Sequence, residues 1–357
     1  MKKLTTADVI RDYSKLVQQW RKEHKGRYAI AKLLSTHSGG NCTPGTVQNV
    51  LRILENNQRQ RIKVEDLDDD YDEMPIEELI SLRISASNRK IKGAKKHKRS
   101  LLLPSKPFGI MCFGDPHVDN EGCDWSLLTE HVALAQSTDG VMAACVGDMQ
   151  DNWIGRLARC YANSSVTASD GWRLSEWFMT SMQWIAMCGG NHDAWANGPG
   201  VDPMKLLTDK TGVLCYAPDE IRIVMHWKDQ PDLEPIVWII RHDFKGRSWF
   251  HPTHGPNKEA MLDGQCHILT AGHIHQWGQL TTEQRHGRCT HAIRVRGYKR
   301  ADAYAMEKGY FEQEYGAAAL IVLNPHLEGP GRITTFWDME EGCKYLTYLR
   351  ESFEEQS

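Results

Sequence analysis

Nowhere in the 357 residues does an apolar run approach the roughly 18 to 20 residues that a membrane-spanning helix requires. The first thirty residues are amphipathic and polar and lack the layout of a secretion signal, so the expectation is a cytoplasmic chain with no membrane partner. Ten cysteines are scattered without a CxxC pair, which argues against a zinc ribbon or a thioredoxin-like redox site. Cys112, Cys145 and Cys188 lie inside apolar runs, where a reduced thiol behaves as a small buried hydrophobe. No GxSxG element suggests a serine nucleophile, and no internal repeat is visible. A large net charge is also missing, at −3, yet the balance is uneven. Residues 1–63 hold thirteen Lys/Arg against four Asp/Glu, which suits an anionic partner, and the remainder is acidic.

What is present describes a folded protein. Hydrophobic residues make up 41% and charged residues 25%, with twelve tryptophans, and the length allows one large α/β domain plus a small appendage. The expected domains are a three-helix unit over 1–63, a charged linker with a short helix over 64–106, and a catalytic domain over 107–357.

In the first unit, Val9, Ile10, Tyr13, Leu16, Val17 and Trp20 fall on one helical face, with Thr5 or Thr6 available as a cap. A second short helix carries Ile30, Leu33 and Leu34, and the turn SGGNC leads to a third, TPGTVQNVLRILE. There Thr43 suits the N-cap and Pro44 the first helical position. Thr46, Gln48, Asn49 and Arg52 form its polar outer face. This arrangement resembles a helix-turn-helix DNA-binding unit, which implies contact between those four residues and nucleic acid. A three-helix unit of this size also serves as a protein-docking or self-association module, and that alternative stays open.

The linker reads VEDLDDDYDEMPIEE, with nine acidic residues and no basic one, and then RKIKGAKKHKR, with seven Lys/Arg. Between them lies a short amphipathic helix, Ile76 to Ile84. Blocks of this kind are solvated segments that attract one another, or, for the basic block, a strand that tracks a phosphate backbone.

From Pro107 the texture changes to apolar runs, FGIMCF, GVMAACV, WIAMCG, PIVWII and CHILTA, separated by helical stretches. Runs of this length read as buried strands of one α/β sheet, whose ligands bind beyond the carboxyl ends of the strands. Each run ends in Asp, His or Asn: GDPHVDN, GDMQDN, GGNHDAW, RHDFKG and AGHIHQW. A single such ending has an ordinary turn explanation, but five at one sheet edge point to a site. Carboxylate, imidazole and amide oxygens together suit manganese, iron or zinc better than calcium or magnesium. The x in Asp115-x-His117 and His273-x-His275 fits strand alternation, with both members of each pair facing one side.

The ordered set Asp115-x-His117, Gly147-Asp148, Gly190-Asn191-His192-Asp193, His242 and Gly272-His273-x-His275 resembles that of the calcineurin-like metallophosphoesterases, over about residues 107–325. The resemblance implies a metallophosphoesterase-type β-sandwich flanked by helices, preceded here by the small all-α helix-turn-helix-like domain. It implies two divalent metal ions, one held by Asp115, His117, Asp148 and His275, the other by Asp148, Asn191, His242 and His273. It further implies attack on phosphorus by a metal-bridging hydroxide, with His192 serving the leaving oxygen and Asp193 orienting the His192 ring. The chain departs from the protein phosphatases of that superfamily. It has GDMQDN where they carry an arginine after the second aspartate motif, and GNHD in place of GNHE. GNHD is similar to the phosphodiesterase and DNA-repair nuclease branches, so the expected substrate is a phosphodiester in nucleic acid, with a nucleotide or cyclic nucleotide as the alternative. A catalytically inactive DNA-binding regulator fits less well, because the ligand set is intact. Substrate-binding candidates are Arg156 and Arg159, spaced to share a helix face, and Trp195, which with Trp153 and Trp277 closely follows a motif. Lys245 and Arg247 follow His242, and the segment around Tyr298, Lys299, Arg300 and Tyr304 is a candidate lid.

Overall fold

A computed structural model describes residues 2–59, 74–94, 98–198, 200–248, 250–284, 287–300 and 313–354. The chain divides into two compact units, Met1–Leu82 and Arg83–Ser357.

In the first unit, α1 (Thr6–Lys22), α2 (Arg27–Ser38) and α3 (Pro44–Arg59) share a core of Val9, Val17, Ile30, Ala31, Leu34, Cys42, Val47 and Val50. Thr5 caps α1 through a reciprocal pairing with Asp8, which satisfies backbone donors that the helix start would otherwise leave unpaired. Gly39, at φ 66°, ends α2 in the left-handed conformation that only glycine adopts cheaply. The Thr43 hydroxyl accepts the Thr46 N–H at 3.1 Å, as an N-cap does. Helix α4 runs from Ile76 to Ala94, ten residues beyond the expected end at Ile84 and into the basic block. Residues 60–73, the end of the expected three-helix unit and most of the acidic block of the expected linker, lie outside the described residues.

The second unit is mixed α/β, with two mixed six-stranded sheets flanked by helices among the described residues. In chain order its elements are β1 (Lys98–Leu103), β2 (Phe108–Phe113), α5 (Trp125–Ser137), β3 (Val141–Cys145), α6 (Ala168–Thr180), β4 (Trp184–Cys188), α7 (Asn191–Trp195), α8 (Pro203–Thr211), β5 (Cys215–Ala217), β6 (Glu220–Trp227), β7 (Ile236–Arg241), α9 (His254–Asp263), β8 (Ile268–Ala271), β9 (Gly278–Glu283), β10 (Cys289–Arg294), β11 (Ala318–Leu323), β12 (Ile333–Phe336) and α10 (Met339–Glu354). One sheet has the order β12-β11-β2-β3-β4-β5 and the other β1-β6-β7-β8-β10-β9. β2, β3 and β4 are mutually parallel, as are β7 and β8.

All five apolar runs are strands, but not of one sheet. The first three belong to one layer and the last two to the other. Between the layers lies the largest core, where Ile110, Cys112, Ala144 and Cys188 meet Ile221, Ile223, Trp238, Ile240 and Ile268. The outer face of the first sheet, Met111, Phe113, Ala143, Cys145 and Met187, is covered by Leu128, Val132, Phe178 and Leu346 from the helices. Ile239 and Leu269 pack on Ala260 of α9 across the other outer face. Each of these strands is therefore buried on both faces, which is why its sequence is continuously apolar and does not alternate. Burying each such side chain stabilises the fold by roughly 1.5–3 kcal/mol. β1 lies within the segment read as linker and pairs in parallel with β6.

Candidate metal centre

The carboxyl ends of β2, β3, β4, β7 and β8 are followed by Asp115, Asp148, Asn191, His242 and His273 respectively, and these loops converge. Two groups of donors each lie within 4.8 Å: Asp115, His117 and His275, and Asp148, His242 and His273. Asp148 stands between them. Its Oδ2 is 3.0 Å from His242 Nε2 and 4.0 Å from His117 Nε2. Asp115 Oδ1 is 3.7 Å from His242 Nδ1, which closes the set from the other side. Asn191 Oδ1 lies 3.0 Å from His242 Nε2. The seven side chains expected as ligands are thus brought together.

Glycine makes this packing feasible at two positions. A Cβ on Gly190 would lie 2.1 Å from Asp148 Oδ1, and one on Gly272 would lie 2.2 Å from Asp115 Oδ1. The absent side chains leave room for each carboxylate to reach a backbone donor. Asp148 accepts the His192 N–H at 2.8 Å, and Asp115 accepts the His273 N–H at 2.7 Å.

Strand alternation does not aim the paired ligands, contrary to the expectation. His117, Asp148, His273 and His275 have φ of 43°, 53°, 71° and 50°, left-handed conformations in loops beyond the strand ends. Each is a local strain of roughly 1–2 kcal/mol that the surrounding structure must hold. The left-handed turn sends His273 and His275 to different donor groups, where a strand would have set both on one side.

Burial opposes charge throughout the site. For Asp148 the adjacent His242 outweighs it and holds the carboxyl far below the usual carboxylate range. Burial lowers the His242 affinity for protons, but Asp148 and then Asp115 reverse this and raise it. Burial, reinforced by Asp148, pushes the Asp193 carboxyl up. Burial also pushes His192 down to about 4.

Two buried atoms, Asp115 Oδ1 and His117 Nε2, have no hydrogen-bond partner. A buried carboxylate oxygen and a buried ring nitrogen left bare at the meeting point of two carboxylates and four imidazoles are the atoms a divalent cation would satisfy. The residues present fit a metal.

His192 is the one expected catalytic imidazole, and its surroundings differ from the expectation. Its Nδ1 meets the Asp151 carbonyl, and its ring is flanked by Trp195 at 4.2 Å and Trp153 at 4.9 Å between centroids. Asp193 does not orient that ring. Its carboxylate accepts the backbone N–H groups of Gly190 and Asp148 at 2.8 Å and of Met149 at 3.0 Å, which fastens the Asp148 loop to the start of α7. The physical reason is reach: a carboxylate at this position of a helix's first turn finds unpaired backbone donors before it finds its neighbour's ring.

Asp151, within GDMQDN, is not among the residues that the motif resemblance marks, yet it lies at the site. Its Oδ1 lies 2.8 Å from His117 Nδ1, an ion-pair distance outside hydrogen-bond geometry, and 3.4 Å from Lys299 Nζ. Asn120 Nδ2 donates to its other oxygen at 2.5 Å. Asp151, His117 and His192 also form a third group with metal-ligand spacing. Arg294, buried on β10, was missed as well. It donates to the carbonyls of Pro252 at 2.6 Å and of Gly272, and to Asp243 at 2.9 Å, bracing the loops that carry His242 and His273. Arg247 Nη2 lies 2.8 Å from His273 Nε2, with its side chain 69% exposed.

Arg159 is exposed on a 3-10 segment, Gly155–Asn163, whereas the Arg156 side chain lies outside the described residues. Trp277 packs on Trp337 at 4.8 Å. Tyr304 of the expected lid is outside the described residues, and Tyr298 is buried. In α3, Gln48, Asn49 and Arg52 are exposed, with Gln48 bonded to Arg27. Thr46 is half-buried and its hydroxyl is 3.0 Å from that of Thr43, so it belongs to the helix cap more than to an outer face.

No protein-family model matches the chain, and no curated protein matches it. Solved structures similar to it include Vacuolar Protein Sorting 29 from Cryptosporidium parvum, at 14% identity over 65% of this chain and 96% of that one, with a TM-score of 0.32. A predicted phosphoesterase from Streptococcus pneumoniae is 14% identical over 65% and 98%, with a TM-score of 0.30. A single mutant of Vps29 from Entamoeba histolytica is 10% identical over 64% and 97%, with a TM-score of 0.31. At that level of likeness the chemistry of the site rests on this chain's own residues. No helix among the described residues is long and apolar enough to cross a membrane.

Proposed function

We propose that the chain is a metal-dependent phosphoesterase of the calcineurin-like type that hydrolyses phosphodiester bonds in nucleic acid. The observation that carries the reading is the pair of carboxylate–imidazole groups meeting at Asp148, with bare buried donors on Asp115 and His117. Asp115, His117, Asp148 and His275 would hold one divalent ion, and Asp148, Asn191, His242 and His273 the other. Manganese is favoured, with iron and zinc as alternatives for the same donor chemistry. When bound, such a pair of ions neutralises phosphate oxygens and makes water acidic enough to attack phosphorus near neutral pH.

The chain's own residues supply position and a relay for the proton. The Asp151 carbonyl can only accept, so His192 Nδ1 carries a hydrogen toward it. That leaves Nε2, 4.0 Å from Asp148 Oδ2 and without a hydrogen in the neutral ring, as the atom that takes up the proton released by the attacking water and then passes it to the leaving oxygen. Trp153 and Trp195 pack on the ring, fix its plane and keep water from it. Asp193 holds the backbone of Asp148, so the carboxylate shared by both groups stays in place.

The exposed Gln48, Asn49 and Arg52 of α3, in a segment with nine excess positive charges, support nucleic acid over a free nucleotide. The deciding experiment offers manganese-loaded protein bis-p-nitrophenyl phosphate, cyclic nucleotides, single-stranded DNA and double-stranded DNA. Turnover of the small diester and of one DNA form is expected, and Asp148→Asn abolishes both. Replacing Gln48, Asn49 and Arg52 together by alanine spares the small substrate and impairs DNA cleavage. Metal-loaded protein that cleaves no phosphodiester refutes the enzyme. Cleavage of the small diester and of cyclic nucleotides, with DNA left intact, refutes the nucleic-acid assignment alone.

A further inference from the structure

Helix α4 presents an apolar stripe to solvent. Ile76 is 60% exposed, Ile80 51%, Ile84 57% and Ile91 57%. At about 100° per residue these four isoleucines fall within about 80° of the helix circumference. Ser87 lies in the same stripe and is small enough to let a neighbouring backbone approach. A lone amphipathic helix is only marginally stable in water, and most helical stability comes from burying such a face. A contiguous exposed apolar stripe marks a contact surface.

The charges along the same helix identify the contact. Its first turn carries Glu77 and Glu78, and its last two turns carry Arg89, Lys90 and Lys92. Nineteen residues in a helix make a rod of about 28 Å, so the acidic and basic ends of one α4 cannot meet each other. A second α4 laid antiparallel sets isoleucine against isoleucine and each acidic end against the other's basic end. A parallel copy would set like charges together at both ends.

We propose that α4 is a homodimerisation helix, pairing antiparallel with α4 of a second copy of this chain. The pairing is independent of the chemistry at the metal centre.

Sedimentation velocity on the full chain, from about 1 to about 100 µM, tests it. The weight-average mass is expected to rise with concentration toward twice the 40.7 kDa chain mass. Ile80→Glu with Ile84→Glu, both exposed and so replaceable without loss of fold, should hold the mass at that of one chain, with circular dichroism unchanged. Glu77→Lys with Glu78→Lys should weaken association about tenfold or more, and adding Lys90→Glu and Lys92→Glu should restore it. A wild-type chain that stays monomeric over the range overturns the proposal, as does a dimer indifferent to Ile80→Glu with Ile84→Glu. A dimer weakened by that pair but indifferent to reversal of the acidic end alone is parallel, which overturns the antiparallel assignment.

Discussion

The carboxylate of Asp193 accepts the backbone N–H of Asp148 at 2.8 Å, so a side chain on α7 fixes the main chain that presents the Asp148 carboxylate beyond β3. Two further backbone donors, on Met149 and Gly190, converge on the same carboxylate. Asp193→Asn presents one oxygen where there were two and sets an NH2 group against backbone donors. The expected loss is about 2–4 kcal/mol, read as a lower urea midpoint. Metal content should fall with it, because the left-handed Asp148 loses its anchor. A variant with wild-type stability and metal content would show that the three donors do not hold the loop.

Asp151→Asn tests the carboxylate beside His117. The pairing of Asp151 Oδ1 with His117 Nδ1 at 2.8 Å leaves the other ring nitrogen, Nε2, 4.0 Å from Asp148 Oδ2. Replacing a carboxylate that orients a ligating imidazole weakens metal binding by about 10–100-fold. Titration of metal-free protein with manganese, followed calorimetrically, reads this directly. Unchanged affinity would make Asp151 a spectator.

Much of this site was legible because its candidate ligands follow apolar runs. β2, β3, β4, β7 and β8 stand out because both faces of each are buried, and their endings carry the candidate ligands. β1 and the second half of α4 were not legible, because their basic residues mask the pattern of a strand or helix. β6, EIRIVMHW, alternates because only one of its faces is fully buried, so it lacks the continuous apolar run that marks the other strands. The supporting contacts are invisible for a different reason. Arg294 meets Asp243 and Pro252 only through the packing of α9, β8 and β10, and Lys299 reaches Asp151 across 148 positions of chain. Nothing local in the sequence encodes such meetings. The left-handed backbone at His117, His273 and His275 was likewise hidden, since histidine gives no conformational signal of the kind glycine gives.

Arg294→Leu should be among the most damaging single changes away from the ligands. The guanidinium is buried and satisfies two carbonyls and a carboxylate, and leucine leaves all three without their partner. Removing one member of a buried charged network costs about 3–5 kcal/mol. Thermal unfolding should show the loss, and Arg294→Lys should recover only part of it, because one ammonium cannot span the three acceptors. Full recovery by lysine would argue against the bracing role.

Gly272→Ala isolates the close approach at Asp115. The added methyl would sit 2.2 Å from Asp115 Oδ1, so the carboxylate or the loop bearing His273 and His275 must move. Metal stoichiometry in the reconstituted protein should fall below that of wild type while far-ultraviolet circular dichroism is kept, since the atoms met are side-chain atoms of Asp115 and Val146 and not strand backbone. Normal stoichiometry would show that the loop relaxes at no cost to the donors.

Acid should destabilise the fold through histidines remote from the site. Burial pushes His131 and His291 down to about 4 from an ordinary value of 6.5, and His131 packs against Tyr298, with 2.6 Å between its Nδ1 and the tyrosine hydroxyl. Both groups are neutral in the native state and take up protons more readily when the chain unfolds. The unfolded state therefore binds more protons below pH 6.5. Stability from this source is complete above pH 6.5 and is lost as the pH falls toward 4, at about 1.4 kcal/mol per pH unit for each histidine in that window. Urea midpoints measured on metal-free protein between pH 7 and pH 5 should fall accordingly, and His131→Gln should remove about one proton from the slope. A slope unaltered by that substitution would mean that His131 is already charged in the folded chain, at odds with its buried place between α5 and Tyr298.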